Sequence, residues 1–283
     1  MAGRLLVVGT PIGNLGDLTP RAADALRTAD LVVAEDTRMA KRLLAHLGLR
    51  RLTIAFNDHA PEGRIDELLG RLSAGATLAL TTDAGMPAVS DPGARLVAAA
   101  RDAGVEVVVL PGPSAVTAAV AAAGVEATGF LFGGFLPARP PTARRVALER
   151  LLAASGATGL PLVLFEAPHR VRALLLALKK LAPAVRVAAC REMTKLHEEV
   201  LVGTPAEVGA RLAEPRGELT LVLSGAAPPE HVGAPIDSTA VVRAARRAGL
   251  RPRTIVELLR AAGMPRREAY HAVHPAAEDA ADS

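Results

Sequence analysis

LLVVGTPIGNLG, residues 5–16, is four apolar residues followed by a loop of glycine and proline. A run that short, bounded by turn residues and followed by the i, i+3, i+4 apolar spacing of Pro20–Thr28, reads as strand, loop and helix. The same unit recurs. Thr77–Leu80 leads into Thr82-Asp83-Ala84-Gly85-Met86-Pro87, and Val105–Leu110 leads into Pro111-Gly112-Pro113-Ser114. Further strands are expected at Leu31–Ala34, Phe130–Phe132, Leu162–Phe165, Val185–Ala189 and Leu219–Leu223, with helical spacing at Arg38–Leu47, Pro61–Leu72 and Ala94–Ala103. Apolar runs alternating with helices predict an α/β fold whose first sheet is mostly parallel. In such sheets the loops gather at the carboxyl ends of the strands, where ligands sit. Glycine there admits close backbone approach, and proline fixes the loop's shape.

The pattern divides the chain into a first α/β domain at 1–112 and a second at 113–225, the second with strands that can run antiparallel. A Pro/Gly linker at 226–236 follows, then a basic helical module at 237–275 and an acidic, Ala-rich tail at 276–283 expected to be disordered. The formal charge of the whole, +4, does not call for nucleic acid. Its distribution does more: between Asp237 and Tyr270 stand eight arginines against three acids. Aromatics make up 2% of the chain, which disfavours a module that binds single strands by base stacking.

Several classes fall away. The first loop spaces its glycines G-x-x-x-G-x-x-G, so the dinucleotide fingerprint is absent, and with no Gly-Lys pair there is no Walker loop. The seven histidines are scattered and suggest no metal site, and the single cysteine, Cys190, allows neither an internal disulfide nor a thiolate zinc site. Leu5–Val8 is too short for a signal peptide's core, and no run approaches the roughly 18 apolar residues of a membrane span. The expected compartment is the cytoplasm.

VVGTPIGNLGDLTPRA at 7–22, AEDTR at 34–38, TDAGMPAVSDPG at 82–93, LPGPSA at 110–115, GGFLPAR at 133–139, FEAPHR at 165–170, REMTK at 191–195 and GELTLVLSG at 217–225 fall in order. Together they resemble the tetrapyrrole methylase superfamily of class III methyltransferases. Within it they resemble the branch that methylates the 2′-hydroxyl of a decoding-site cytidine in bacterial 16S ribosomal RNA. The resemblance implies two α/β domains with S-adenosylmethionine in the cleft between them, a small C-terminal helical module, and a homodimer. Its implied partner is 16S rRNA within the small ribosomal subunit, with neither membrane nor DNA. It places Pro11, Ile12 and Gly13 on the cleft floor and Asp83, Ala84, Gly85 and Met86 on the main cofactor loop. Ser114 and Ala115 form the second loop, and Phe165, Glu166 and Thr220 come from domain two. Met86 stands where the family more often has threonine.

Methylating a hydroxyl requires removal of its proton, which calls for a base. Lys195 is one candidate, provided burial beside Arg191 lowers its pKa; Glu166, Asp36 and Glu192 are carboxylate alternatives. For each, a structural ion pair is the competing reading. For RNA contact the candidates are Arg38, then Arg139, Arg144 and Arg145 around Pro140-Pro141 in what reads as a basic loop. In the C-terminal module they are Arg243, Arg246, Arg247 and Arg251 on one helix face, with Arg266 and Arg267 beyond. Asp58-His59 reads either as a turn or as an RNA contact.

Overall fold

The computed structural model describes residues 3–57, 60, 61, 63–212, 217–226, 238–261, 264 and 266–274. Asp58-His59, the interior of the linker and the acidic tail lie outside them. The chain forms two compact units, Met1–Pro228 and Pro229–Ser283.

The first unit contains two five-stranded sheets. The first sheet is wholly parallel, built from β1 (Arg4–Val8), β2 (Leu31–Ala34), β3 (Leu52–Ala55), β4 (Thr77–Thr81) and β5 (Glu106–Leu110), in the order β3-β2-β4-β1-β5. Its strands are apolar at successive positions because both faces are buried. Leu6, Val8, Val32 and Ala79 pack under α1 (Pro20–Thr28) and α2 (Thr37–His46). The alternate set, Leu5, Val7, Val33 and Leu80, packs under α3 (Arg64–Ser73) and α4 (Ala94–Asp102).

From α5 (Ala115–Ala123) the chain enters the second, mixed sheet: β6 (Leu131–Phe135), β7 (Leu162–Glu166), β8 (Arg186–Arg191), β9 (Glu199–Gly203) and β10 (Leu219–Ser224). Its order is β6-β7-β10-β8-β9; β6 and β7 are parallel and every other pair is antiparallel. Leu162, Leu164, Leu221 and Leu223 face α6 (Pro141–Thr158), α7 (Pro168–Leu181) and α8 (Pro205–Arg211). On the other face, Val163, Ala188, Cys190 and Val222 pack against Val116 and Ala119 of α5, and Ile12 from the first sheet's opening loop joins that cluster.

Two strands escape the sequence pattern, β3 and β9. Thr53 interrupts the apolar residues of β3, and β9 has only Val200-Leu201-Val202 between Glu199 and Gly203, so neither offers the longer apolar run of the other strands. The second unit packs α9 (Ser238–Arg247), α10 (Pro252–Ala261) and α11 (Arg266–Val273) around Val242, Ile255, Leu259 and Val273. Among the described residues no helix is long and apolar enough to cross a membrane.

Candidate functional site

The three glycine/proline loops touch one another. Thr10 and Gly85 form an isolated antiparallel bridge: the Thr10 N–H donates to Gly85 O at 2.8 Å and the Gly85 N–H returns to Thr10 O at 3.1 Å. The Gly9 N–H donates to Leu110 O at 3.0 Å. A Cβ on Gly9 would lie 2.7 Å from both the Gly112 backbone and the Met86 Sδ, so only glycine permits this approach.

Above these loops is a cavity of 360 Å³. The first sheet supplies Ile12, Asp83, Ala84, Gly85 and Met86, and the start of α5 supplies Ser114 and Ala115. The second sheet supplies Phe165, Glu166 and Thr220 from the paired strands β7 and β10. Of the expected cofactor residues, Pro11 and Gly13 are the two outside it. They line an adjoining hollow that shares Ile12, Asp83 and Ala84 and also holds Lys195. The cavity wall includes residues that the sequence did not single out: Glu35, Val89, Asp91, Phe135, Met193 and Glu218. Phe135 is 55% exposed, and its ring lies 5.4 Å from that of Phe165.

Among the described residues no lysine, arginine or histidine lines this cavity, whereas Glu35, Asp83 and Asp91 do. Burial, then the neighbouring Glu35, raises the Asp83 pKa above the ordinary carboxylate value. Asp91 is pushed up to about 6, first by burial and then by Glu35 and Asp83, against a lowering contribution from Thr82. Acidic groups with apolar walls suit a ligand that is part hydrocarbon and part cation. Among the described residues no cluster of His, Cys, Asp and Glu could hold a metal.

The four expected bases are all engaged. Glu166 has a fully buried side chain, ion-paired to Arg144 and, at 2.9 Å, to Arg170, while the Ala167 N–H donates to it at 2.8 Å. Lys195 donates to Glu192 at 2.9 Å and to Glu218 at 3.1 Å. Burial, the largest influence on Lys195, pulls its pKa down, but the two carboxylates outweigh it and the ammonium ends above its ordinary value. The lowered pKa required of a lysine base is therefore not met. Hydrogen bonding from Lys195 holds Glu192 below the usual range, against a smaller upward push from burial. Asp36 is the N-cap of α2, accepting from the Arg38 N–H at 2.8 Å; that arginine's side chain leads the influences that hold it down to about 2.

The arginines separate likewise. Arg38 is exposed and paired to Asp36 at 2.6 Å in a hollow beside the cavity. Arg139 is exposed just before α6. Arg144 and Arg145 are not in a loop: Pro141 opens α6, a position proline favours, so both are helical. Arg144 turns inward to Glu166, and Arg145 pairs with Glu149 at 3.0 Å on the outside. In the C-terminal unit, Arg251, Arg266 and Arg267 line one groove between α10 and α11 together with Arg253 and Arg260. Tyr270 and His274 lie in the same groove, their rings 4.7 Å apart. Arg243 and Arg247 are exposed on α9, outside the groove, and Arg246 donates to Val273 O at 2.7 Å at the end of α11.

The sequence pattern of the family described as Tetrapyrrole (Corrin/Porphyrin) Methylases matches residues 4–209. The chain belongs to this family. As a tetrapyrrole methylase it uses S-adenosylmethionine as methyl donor, and the cavity's acidic, partly apolar lining fits a sulfonium bearing an adenosyl group. Among solved structures, the methyltransferase CobJ aligns with 80% of this chain and 95% of its own at a TM-score of 0.60 and 20% identity. The uroporphyrin III C-methyltransferase of Thermus thermophilus aligns with 79% and 98% at 0.56 and 19%. These establish the shared fold. Closer in sequence are proteins named ribosomal RNA small subunit methyltransferase I. The Xylella fastidiosa protein is 44% identical over 80% of this chain and 82% of its own. Its Mycobacterium tuberculosis counterpart is 45% identical over 80% and 79%. The Thermotoga maritima protein is 41% identical over 79% of this chain and 99% of its own.

Proposed function

We propose that this tetrapyrrole methylase transfers a methyl group from S-adenosylmethionine to the ribose 2′-hydroxyl of a cytidine in the decoding region of 16S ribosomal RNA. Relatives at 41–45% identity bear the name of a small-subunit rRNA methyltransferase, which supports rRNA as the substrate. The observation that carries the reading is the single cavity into which loops of one sheet and strands of the other both project, acidic in part and without a basic side chain among the described residues of its wall.

On this reading Ile12 and the 83–86 loop hold the donor from one side, and Ser114, Ala115, Phe165 and Thr220 hold it from the other. Pro11 and Gly13 shape the adjoining hollow from which substrate approaches, and Glu166 fixes the wall rather than touching substrate. The chemistry the donor supplies is an already activated methyl group. The protein's task is then alignment, a contribution that reaches roughly 7–11 kcal/mol in favourable cases. The division into lobes at 1–112 and 113–225 follows from the same cleft. A homodimer in the cytoplasm is the expected working form, checked by light scattering.

The C-terminal groove is the RNA-facing surface, with Arg251, Arg266 and Arg267 on phosphates and Arg243, Arg247, Arg38 and Arg139 as outlying contacts. The match to the Thermotoga maritima protein takes up 99% of that relative and 79% of this chain, so that relative has next to nothing to set against the remainder. This supports a module outside the chemistry, and its arginines support a part in RNA affinity.

The test is incubation with labelled S-adenosylmethionine and 30S subunits lacking the modification. Label in a ribose-methylated cytidine is expected. Label in a base, in protein or in a tetrapyrrole, with none in ribose, rejects the proposal.

A further inference from the structure

Lys195 lines the hollow beside the donor cavity, and the surrounding backbone is shaped to put it there. Its stem lies over Gly13, where a Cβ would come 2.6 Å from the lysine Cγ and 2.9 Å from its Cε, so only glycine leaves room. Glu192 and Thr194, at φ 50° and 67°, occupy the left-handed region that non-glycine residues seldom adopt. Between them Met193 is buried in the same cluster as Ile12, which pins the segment to the core. At the tip, the ammonium donates to Glu192 at 2.9 Å and to Glu218 at 3.1 Å. The two acids are tied together, since the Glu218 N–H donates to the Glu192 carboxylate at 3.0 Å. An ammonium has three protons, and among the described residues these bonds use two.

Glu218 borders both spaces, the donor cavity and the hollow, and its side chain is 71% exposed. Asp83 borders both as well, but it accepts the Asp36 N–H at 3.1 Å, and among the described residues it forms no ion pair. One ammonium between two carboxylates carries a net negative charge. That arrangement repels a phosphate and admits a neutral hydroxyl, which can accept from the ammonium and donate to a carboxylate.

We infer that Glu218 takes the proton of the attacking ribose hydroxyl while Lys195 donates a hydrogen bond to that oxygen. This rests on the function proposed above. As the ribose oxygen bonds to the methyl carbon, its proton passes to a Glu218 oxygen. The carbon–sulfur bond breaks with its electron pair left on sulfur, and the exposed Glu218 then releases the proton to water. The ammonium keeps a negative partner throughout, first the carboxylate and then the oxygen that is losing its proton. It must stay charged to do so. Against the lowering by burial, the two carboxylates raise its pKa above the ordinary lysine value.

The test is single-turnover methyl transfer by the full-length protein to 30S subunits, with donor and subunit both saturating. Glu218→Ala should slow transfer by roughly a hundredfold or more, and added formate should recover roughly tenfold, because a free carboxylate can take the vacated place. Lys195→Met keeps most of the stem over Gly13 and should also slow transfer by roughly a hundredfold. The double variant should be about as slow as the slower single one, since the two groups act as a unit. Donor binding by calorimetry checks that each variant is folded. Independently of turnover, the chain has lysines only at 41, 179, 180 and 195, so nitrogen-15 NMR can follow each ammonium. Lys195 should still be charged at pH 9. Either single variant within threefold of wild type, a Glu218→Ala variant that formate does not speed, or a neutral Lys195 at pH 9 would overturn the inference alone. A wild type that labels no ribose would reject the proposed function, and the inference with it.

Discussion

Glu166 lines the cavity and is at the same time held by two arginines. Its side chain is fully buried between Arg144 and Arg170, themselves 16% and 22% exposed. Removing the carboxylate leaves two arginines facing each other without a counter-charge, and breaking a buried pair costs about 3–5 kcal/mol. Glu166→Ala is expected to lower stability by that order in urea titration. Asp91 behaves oppositely. Its folded pKa of about 6 exceeds the ordinary value, so between the two the folded chain binds more protons than the unfolded chain. Stability therefore falls as pH rises through that window. At pH 7.5 Asp91→Asn should be more stable than wild type by about 1 kcal/mol, allowing for screening at a partly exposed group, with the gain gone below pH 4. Cys190 completes the set: burial, then Glu198, raises its pKa to about 11. Thiol reagents at pH 7.5 should label the unfolded chain and spare the native one.

At the scale of elements, the loop cluster is the least forgiving part of the fold. Gly9→Ala sets a methyl group against the Gly112 backbone and the Met86 sulfur. Overpacking of this kind costs about 1–3 kcal/mol, so a lower melting temperature and weakened donor binding by calorimetry are expected together. These loops were legible because glycine and proline after an apolar run mark a strand's end whatever follows. The central strands were legible for a related reason: both of their faces are buried, so they read as unbroken apolar runs. β3 and β9 were not, although the edge strands β5 and β6 were: Thr53 breaks the apolar run of β3, and β9 holds only Val200-Leu201-Val202 between Glu199 and Gly203. Nor was Arg144's role, because nothing local tells an arginine in a helix that it faces a buried glutamate 22 residues on. Asp91 stood in plain view within DAGMPAVSDPG, but its aim into the cavity depends on two left-handed residues that no periodicity reveals.

For the whole molecule, the proposed reading assigns holding the donor to one unit and holding RNA to the other. Deleting 237–283 should leave donor affinity intact and weaken RNA binding. The slope of log affinity against log salt should flatten by roughly 0.7 for each phosphate that the truncated chain no longer neutralises. Unchanged RNA affinity would reject the proposed role of the groove. The wall of the donor cavity has a consequence for turnover. Five acids, with no base among the described residues of the wall, attract a molecule carrying a positive sulfur, and transfer turns that sulfur into a neutral thioether. The same pocket should therefore grip its spent molecule less firmly than its fresh one. That electrostatic asymmetry speeds clearance of the by-product, and it should shrink as ionic strength rises.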